Sequence, residues 1–196
     1  MSKKAARLIS FIFHPIVFAL LIPFLFVYEK TTDLAYGLKW MIFSLFFLFI
    51  TLLIFYLLRP KEFFSDFDIS IKEQRHLFYS TALLTAVLYF IAALLFKGIL
   101  FPLSIVALGI ILGLVVFDIS NYYIKVSIHM AVSTAYTVTI AMLFGLVPFF
   151  IFIWILPLMA WARLTLHKHT SKELLAGMLL GEVVTIATFL IGRNIQ

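Results

Sequence analysis

Long apolar segments alternate with short polar ones along the whole chain. A helix needs about 20 apolar residues to cross a bilayer. Seven segments approach that length, at about residues 7–28, 38–58, 77–96, 100–118, 127–145, 147–164 and 172–192. The pattern predicts an all-α, polytopic transmembrane helical bundle that forms a single membrane domain over residues 1–196. About seven spans are expected, with six as the alternative count.

The first apolar segment begins like a signal peptide, with basic residues ahead of it, but no small-residue cleavage site follows. We therefore expect it to remain as the first span, with kinks at Pro15 and Pro23. The longest linker, residues 59–76, mixes eight charges with aromatic side chains. This mixture predicts an amphipathic segment that lies along the membrane surface.

Composition narrows the class of protein further. Apolar residues make up 64% of the chain and charged residues only 12%, which excludes an ordinary soluble domain. The absence of cysteine excludes disulfides, thiol chemistry and zinc sites built on thiolates. The net charge of +6 comes without a basic stripe interleaved with aromatics, so we do not expect a nucleic-acid partner. We attribute this charge to membrane topology and to an anionic substrate or lipid surface.

The polar clusters all fall on one side of the predicted bundle. With seven spans, the N-terminus, the linker at 59–76 and the turns at 119–126 and 163–171 lie on the same side. That side carries eleven lysines and arginines, whereas the other carries four. Because cytoplasmic loops are enriched in these residues, we expect an integral protein of the inner cell membrane whose polar face is cytoplasmic.

The segment from Arg163 to Gly177 places cations, histidines and a carboxylate between two apolar segments. A charge at the bilayer centre costs at least ~2.5–3.5 kcal/mol, so these side chains must face water or a protein cavity. His169 and Glu173 are four residues apart, which puts them on one face of a helix that begins near His169. We therefore expect a hydrogen bond between the imidazole and the carboxylate.

Two other clusters contain groups suited to binding an anion. Lys125, Ser127 and His129 open the fifth span, where backbone amides at a helix N-terminus add to the charge of the lysine. Lys72 and Arg75 precede the third span, one turn apart. The planar fork of an arginine binds two phosphate oxygens at once. These clusters predict a phosphate-binding site on the polar face.

The order of these groups resembles the type 2 phosphatidic acid phosphatase (PAP2) superfamily, whose motifs are Lys-x6-Arg-Pro, Pro-Ser-Gly-His and Ser-Arg-x5-His-x3-Asp. The second motif is similar to VSIH in this chain, which keeps Ser127 and His129. The third is similar to ARLTLHKHTSKE, which keeps Arg163 and His169 and has Glu173 in place of aspartate. The resemblance implies a PAP2-like core.

The first motif is shorter here, and only Lys72 and Arg75 match it, with two residues between them. A compact branch of the superfamily is similar in this shortened motif. That branch also resembles this chain in an apolar FHP near the N-terminus, here Phe13, His14 and Pro15.

The resemblance implies phosphoryl transfer without a metal or other cofactor. His169 would attack phosphorus to form a phosphohistidine, and Glu173 would fix the tautomer of His169. His129 would protonate the leaving oxygen and later help to activate water. The phosphoryl oxygens would be held by Lys72, Arg75, Arg163 and the backbone near Ser127. The implied protein is a hydrolase of phosphoric esters or anhydrides that acts on a phospholipid, a lipid phosphate or a polyprenyl (pyro)phosphate.

Other polar residues have simpler interpretations. His14, His76 and His167 are typical of interfacial or packing histidines, whereas Asp66 and Asp68 are typical of solvated loop charges. Glu182 lies inside the last span, where it must either bond to a neighbouring hydroxyl or face the substrate cavity.

Gly177 and Gly181 form a small-xxx-small face on the last span, which predicts close packing against the fifth span. Such packing would bring His169 and His129 together.

Two alternatives to the phosphatase stay open. One is a catalytically inactive PAP2-like protein that binds or transports lipid, and the other is a phosphotransferase that passes the phosphoryl group to a second alcohol. Membrane lipids are expected partners in each case. The sequence is also compatible with a homo-oligomer.

Overall fold

The computed structural model describes residues 2–58, 75–97 and 102–195, and every regular element in these ranges is an α-helix. The helices are α1 (Lys3–Ile12), α2 (Pro15–Thr31), α3 (Leu34–Leu58), α4 (Arg75–Lys97), α5 (Pro102–Tyr123), α6 (Ile128–Phe144), α7 (Leu146–Phe152), α8 (Ile155–Thr165) and α9 (Ser171–Ile195). The surface segment predicted for the 59–76 linker lies outside the described residues, except for its last two.

Six stretches of the described chain are long and apolar enough to cross a membrane. They are Lys3–Thr31, Leu34–Leu58, Arg75–Lys97, Pro102–Tyr123, Leu146–Thr165 and Ser171–Asn194. The remaining apolar helix, α6, has 17 residues, which extend about 25 Å at the rise of an α-helix. The chain is therefore an all-α helical membrane bundle, and its seventh span stays a prediction.

The first predicted span consists of two helices instead of one kinked helix. α1 ends at Ile12, and α2 begins with Pro15 at its first position. His14 between them has extended backbone, with φ −67° and ψ 143°. The ring of a proline disfavours helical backbone in the residue before it, which explains why the break falls here. Pro23 lies inside α2 without ending it.

The sixth predicted span is also divided, because a turn at Ile153 and Trp154 separates α7 from α8. Pro157 accounts for this turn, since its ring would clash with the carbonyl of Ile153 in a continuous helix. α1 packs along α8 and buries Ala6 and Ser10, which lie one turn apart.

Six helices form a ring in which each packs against the next, in the order α2, α3, α4, α5, α9 and α6, with α6 packing back on α2. α7 and α8 are not part of this ring and pack against α6. α5 and α9 run antiparallel, because Gly109 of α5 approaches Thr188 while Gly192 of α9 approaches Ile105. α2 and α5 also contact each other across the ring, and a space remains between the helices.

α6 and α9 run parallel and in close contact. A methyl group added at Gly177 would lie 2.5 Å from the carbonyl oxygen of Ser127, and one added at Gly181 would clash with the carbonyl of Ala131. Glycine alone fits at these two positions, so the close packing predicted from the small-residue spacing is confirmed. The starts of α6 and α9 therefore lie side by side at one end of the bundle, which we call the site end. The opposite end, where α2 and α6 finish, is the far end.

Candidate active site

Five segments that are distant in sequence meet at the site end. They are the junction of α1 and α2, the start of α4, the turn before α6, the end of α8 and the turn before α9. Each makes contact with the residues around the start of α6 or lies within electrostatic range of them. The start of α6 is therefore the centre of the site.

The turn before α9 holds His169 against Glu173. Thr170 and Glu173 form a capping box, in which the Thr170 N–H donates to Glu173 Oε2 (2.9 Å) and the Glu173 N–H donates to Thr170 Oγ1 (3.4 Å). His169 Nδ1 lies 3.1 Å from the same Oε2. Because a carboxylate only accepts, Nδ1 carries a proton, and Nε2 of a neutral His169 holds the lone pair. The predicted hydrogen bond is confirmed, although α9 begins at Ser171 and His169 therefore precedes the helix.

Two cations hold the turn before α6 in place. Arg75 Nη1 donates to the carbonyl of Val126 (2.9 Å), and Lys125 Nζ donates to the carbonyl of Lys168 (3.2 Å). The first bond ties the start of α4 to this turn, and the second ties it to the turn that carries His169. Lys125, predicted as a phosphate ligand, thus has one of its three donors directed at the protein.

Ser127 caps α6 and is fully buried. Its Oγ accepts a hydrogen bond from the N–H of Met130 (3.4 Å), and its own backbone N–H donates to the carbonyl of Glu173 (3.3 Å). The hydroxyl hydrogen is the donor that Ser127 can still offer to an anion. The amides of Ile128 and His129 lie in the first turn of α6, where amides have no acceptor within the helix, so they are also suited to an anion.

His129 is the second residue of α6, and only 7% of its surface is exposed. Its Nε2 is buried and makes no hydrogen bond within the described part of the chain. The groups close enough to act on its charge are Arg163, His14, His169 and Arg75. A bound anion would accept a hydrogen bond from this nitrogen and would offset the surrounding positive charge.

Two guanidinium groups are buried at the site. Arg75 begins α4 with 3% of its surface exposed, and Arg163 lies in the last turn of α8 with 2% exposed. Both lie close enough to His129 to act on its charge, so the site concentrates positive charge of the kind that suits an anion. Lys72, predicted to act with Arg75, lies outside the described residues, as do Asp66 and Asp68.

His14, which the sequence assigns to packing, packs against His129 itself. The two rings meet edge to face, with 5.1 Å between their centroids and 87° between their planes. His14 Nδ1 accepts a hydrogen bond from the N–H of Ile16 (3.3 Å) and so caps α2. The sequence signal was its position directly before Pro15, where an N-cap is expected.

Comparison of the chain with models of known protein families, with characterised proteins and with solved structures finds no match. The resemblance to the PAP2 superfamily therefore stays a prediction.

The remaining histidines are His76 and His167. His76 Nδ1 is 2.5 Å from Asp118 Oδ1, and the His76 ring stacks near Tyr122 with 4.4 Å between centroids. This pair joins α4 to α5 and is half-buried. His167 is exposed in the turn after α8, which makes it a useful comparison for His169 two residues later.

Proposed function

We propose that this protein is a membrane phosphatase that hydrolyses a lipid phosphate, or a polyprenyl phosphate or pyrophosphate, through a phosphohistidine at His169. The proposal rests on one observation, the meeting of His169, His129 and two buried arginines at the start of α6. Phosphoryl transfer needs a nucleophile, an acid for the leaving oxygen and positive charge around the transferred group. These side chains are of the kinds required for all three.

In the first step, His169 acts as the nucleophile. Its Nδ1 donates to Glu173, so Nε2 carries the lone pair that forms a bond to phosphorus while the bond from phosphorus to the leaving oxygen breaks. His129, which carries a proton on both ring nitrogens while the bound phosphate offsets the surrounding positive charge, gives its Nε2 proton to the leaving oxygen. A lipid alcohol departs from a monophosphate, and a lipid monophosphate departs from a pyrophosphate. Glu173 stabilises the positive charge that His169 gains.

In the second step, water attacks the phosphohistidine. The now neutral His129 accepts a proton from the water as its oxygen bonds to phosphorus and the phosphorus–nitrogen bond breaks. The products are inorganic phosphate and unmodified His169. Arg75, Arg163 and the first-turn amides of α6 hold the phosphoryl oxygens throughout, because positive charges and amide dipoles fixed in the protein stabilise the charge of the transition state.

The test is release of inorganic phosphate by the purified protein from a panel of lipid phosphates in EDTA. We expect His169→Ala to abolish release. His129→Ala should slow release from an alkyl phosphate by about 10²–10⁴-fold, the usual contribution of a general acid, and should slow it less when the leaving group is a phenol that needs no proton. A radiolabelled phosphate on the protein that is labile to acid and stable to base would identify the phosphohistidine.

His167→Ala is the matched control, because this exposed histidine lies in the same turn as His169. It should release phosphate like the unaltered protein. Full activity of His169→Ala would refute the proposal. Tight binding of lipid phosphates without any release would favour the alternative function, an inactive protein that binds or transports lipid.

A further inference from the structure

The ring of six helices surrounds a cavity of about 330 Å³. Every helix of the ring contributes to its lining. The lining of α2 extends from Pro15 to Phe26 and that of α4 from Phe78 to Tyr89. On each helix, the first and last of these lining residues are eleven positions apart, which corresponds to about 16 Å along the bundle axis. The cavity is therefore elongated and runs from the site end toward the far end.

The wall of this cavity is apolar even where hydroxyl residues line it. Five of the lining hydroxyls donate to backbone carbonyls of their own helices, one turn earlier, at Ser44, Thr51, Thr85, Thr185 and Thr188, and the Tyr89 hydroxyl bonds to that of Ser44. A space with such a wall offers water few partners and favours hydrocarbon. Glu182, which could have faced the cavity, is not among its lining residues.

One end of the cavity meets the candidate active site. Pro15 and Ile128 line it and are the chain neighbours of His14 and His129. Tyr79 lines it too, and its hydroxyl lies beside the guanidinium of Arg75. A molecule that filled both places would have a charged head at the histidines and an apolar body in the ring.

The far end of the cavity is closed off by apolar side chains. Phe26, Met142 and Phe189 line the cavity and also line a second, smaller one of about 250 Å³, which Glu29 and Arg193 border at the far end. These three apolar residues therefore form a partition between a hydrocarbon space and a polar one.

We infer that this cavity holds the single hydrocarbon chain of the substrate and that the partition of Phe26, Met142 and Phe189 limits the length of that chain. This inference rests on the proposed function, whose phosphoryl group it places at the histidines. A length of about 16 Å matches one leaflet, about half of the ~30 Å hydrocarbon core. The volume of about 330 Å³ is at the lower end of the usual range for ligand sites of about 300–1,000 Å³, so one chain fits better than the two of a diacyl lipid.

The test uses two matched series of single-chain probes. n-Alkyl phosphates of increasing length report phosphate release, and n-alcohols of the same lengths report binding through the rise in thermal unfolding temperature. Up to the limit, each added methylene should raise kcat/KM about three- to fourfold, the value of one buried methylene. Beyond the limit, kcat/KM should fall. A diacyl phosphate should be a poor substrate.

Three variants test the partition. Met142→Trp adds bulk at the far end and should shorten the longest accepted chain in both series. Phe26→Ala opens the cavity toward the polar space and should lengthen the longest accepted chain. Met41→Trp is the control, because Met41 is half-buried like Met142 but does not line the cavity. The longest accepted chain should be the same in this variant as in the unaltered protein. If Met142→Trp does not fold, Phe26→Ala decides the question.

The outcomes separate this inference from the proposed function. Phosphate release with no chain-length limit, or with a limit that neither Met142→Trp nor Phe26→Ala moves, would overturn the inference and leave the phosphatase standing. Equal release from diacyl and single-chain phosphates would do the same. A third outcome is that the alcohols raise the unfolding temperature up to a chain length that the variants shift as expected, while no probe releases phosphate. This outcome would support the assignment of the cavity and overturn the phosphatase.

Discussion

Glu173 illustrates how a single residue at this site has two separable interactions. Its Oε2 accepts from His169 Nδ1, which orients the imidazole, and from the N–H of Thr170, which caps α9. An amide in place of the carboxylate keeps an oxygen that can cap the helix but removes the negative charge that faces His169. The two interactions can therefore be tested apart.

We predict that Glu173→Gln slows phosphate release by about 10–100-fold, because a hydrogen bond to a charged group contributes about 1.5–3 kcal/mol. Helix α9 should remain capped, so the temperature of unfolding should change little. Thr170→Ala is the control: it removes the other half of the capping box, costs about 1 kcal/mol of stability and should leave kcat/KM unchanged. Equal kinetic effects of the two substitutions would show that Glu173 acts only as a cap.

His14 also has two contacts, a cap on α2 and the edge of its ring against His129. Asparagine is a good N-cap, so His14→Asn should keep α2 stable while it removes the ring. We predict a two- to tenfold loss of kcat, because an aromatic pair contributes about 0.5–1.5 kcal/mol to the placement of its partner. Steady-state kinetics beside thermal unfolding checks this, and an unchanged kcat would assign His14 to capping alone.

Sequence spacing predicted one residue-scale feature of the site and could not predict another. The bond between His169 and Glu173 follows from a separation of four residues at the start of a helix. The contact between His14 and His129 joins parts of the chain that are over a hundred residues apart, and hydropathy carries no information about such partners. The hydrogen bond from the backbone N–H of Ser127 to the carbonyl of Glu173 could not be predicted from sequence for the same reason.

At the scale of elements, the glycines of α9 determine how the site is assembled. They let α9 approach α6 so closely that backbone of one helix touches backbone of the other. The turn that carries His169 is thereby held beside the start of α6. Spacing of small residues predicted this contact, whereas the division of two predicted spans at His14 and at Ile153 required the local effect of prolines that hydropathy does not register.

We predict that Gly177→Ala destabilises the protein by about 1–3 kcal/mol, the usual cost of overpacking, and lowers phosphate release, because its methyl group would meet the carbonyl of Ser127. Thermal unfolding and activity measure the two effects. Gly113→Ala is the matched control for stability, since its nearest atom would be 3.6 Å away and alanine is the better helix former by about 1 kcal/mol. If Gly113→Ala proved the more damaging of the two, close approach of α6 and α9 would not explain the effect.

At the scale of the whole molecule, the number of crossings decides where the ends of the chain lie. With α6 as a seventh span, the N-terminus and C-terminus are on opposite sides of the membrane, and with six spans they are on the same side. The chain contains no cysteine, so a single introduced cysteine is the only thiol of the protein and its labelling shows on which side of the membrane it lies. Apolar segments predicted the bundle, but the cavity depends on the order of helices around the ring, which no single segment specifies.

We predict that Ser2→Cys is protected from a membrane-impermeant maleimide in intact cells and that Asn194→Cys is labelled. Both residues are exposed, so burial in the protein should not limit the reaction, and labelling after lysis confirms that each thiol is accessible. The excess of lysine and arginine on the N-terminal side is the physical reason for this orientation. Labelling of both positions, or of neither, in intact cells would reduce the count to six spans.

The ring of helices also bears on the speed of any turnover. A lipid tail that enters the space between these helices must leave it again after dephosphorylation, before the next substrate binds. Where exit of the tail is slower than the chemistry, the first equivalent of phosphate appears as a burst ahead of the steady state. Bilayer fluidity, more than the reactivity of the bond being cleaved, would set the pace thereafter.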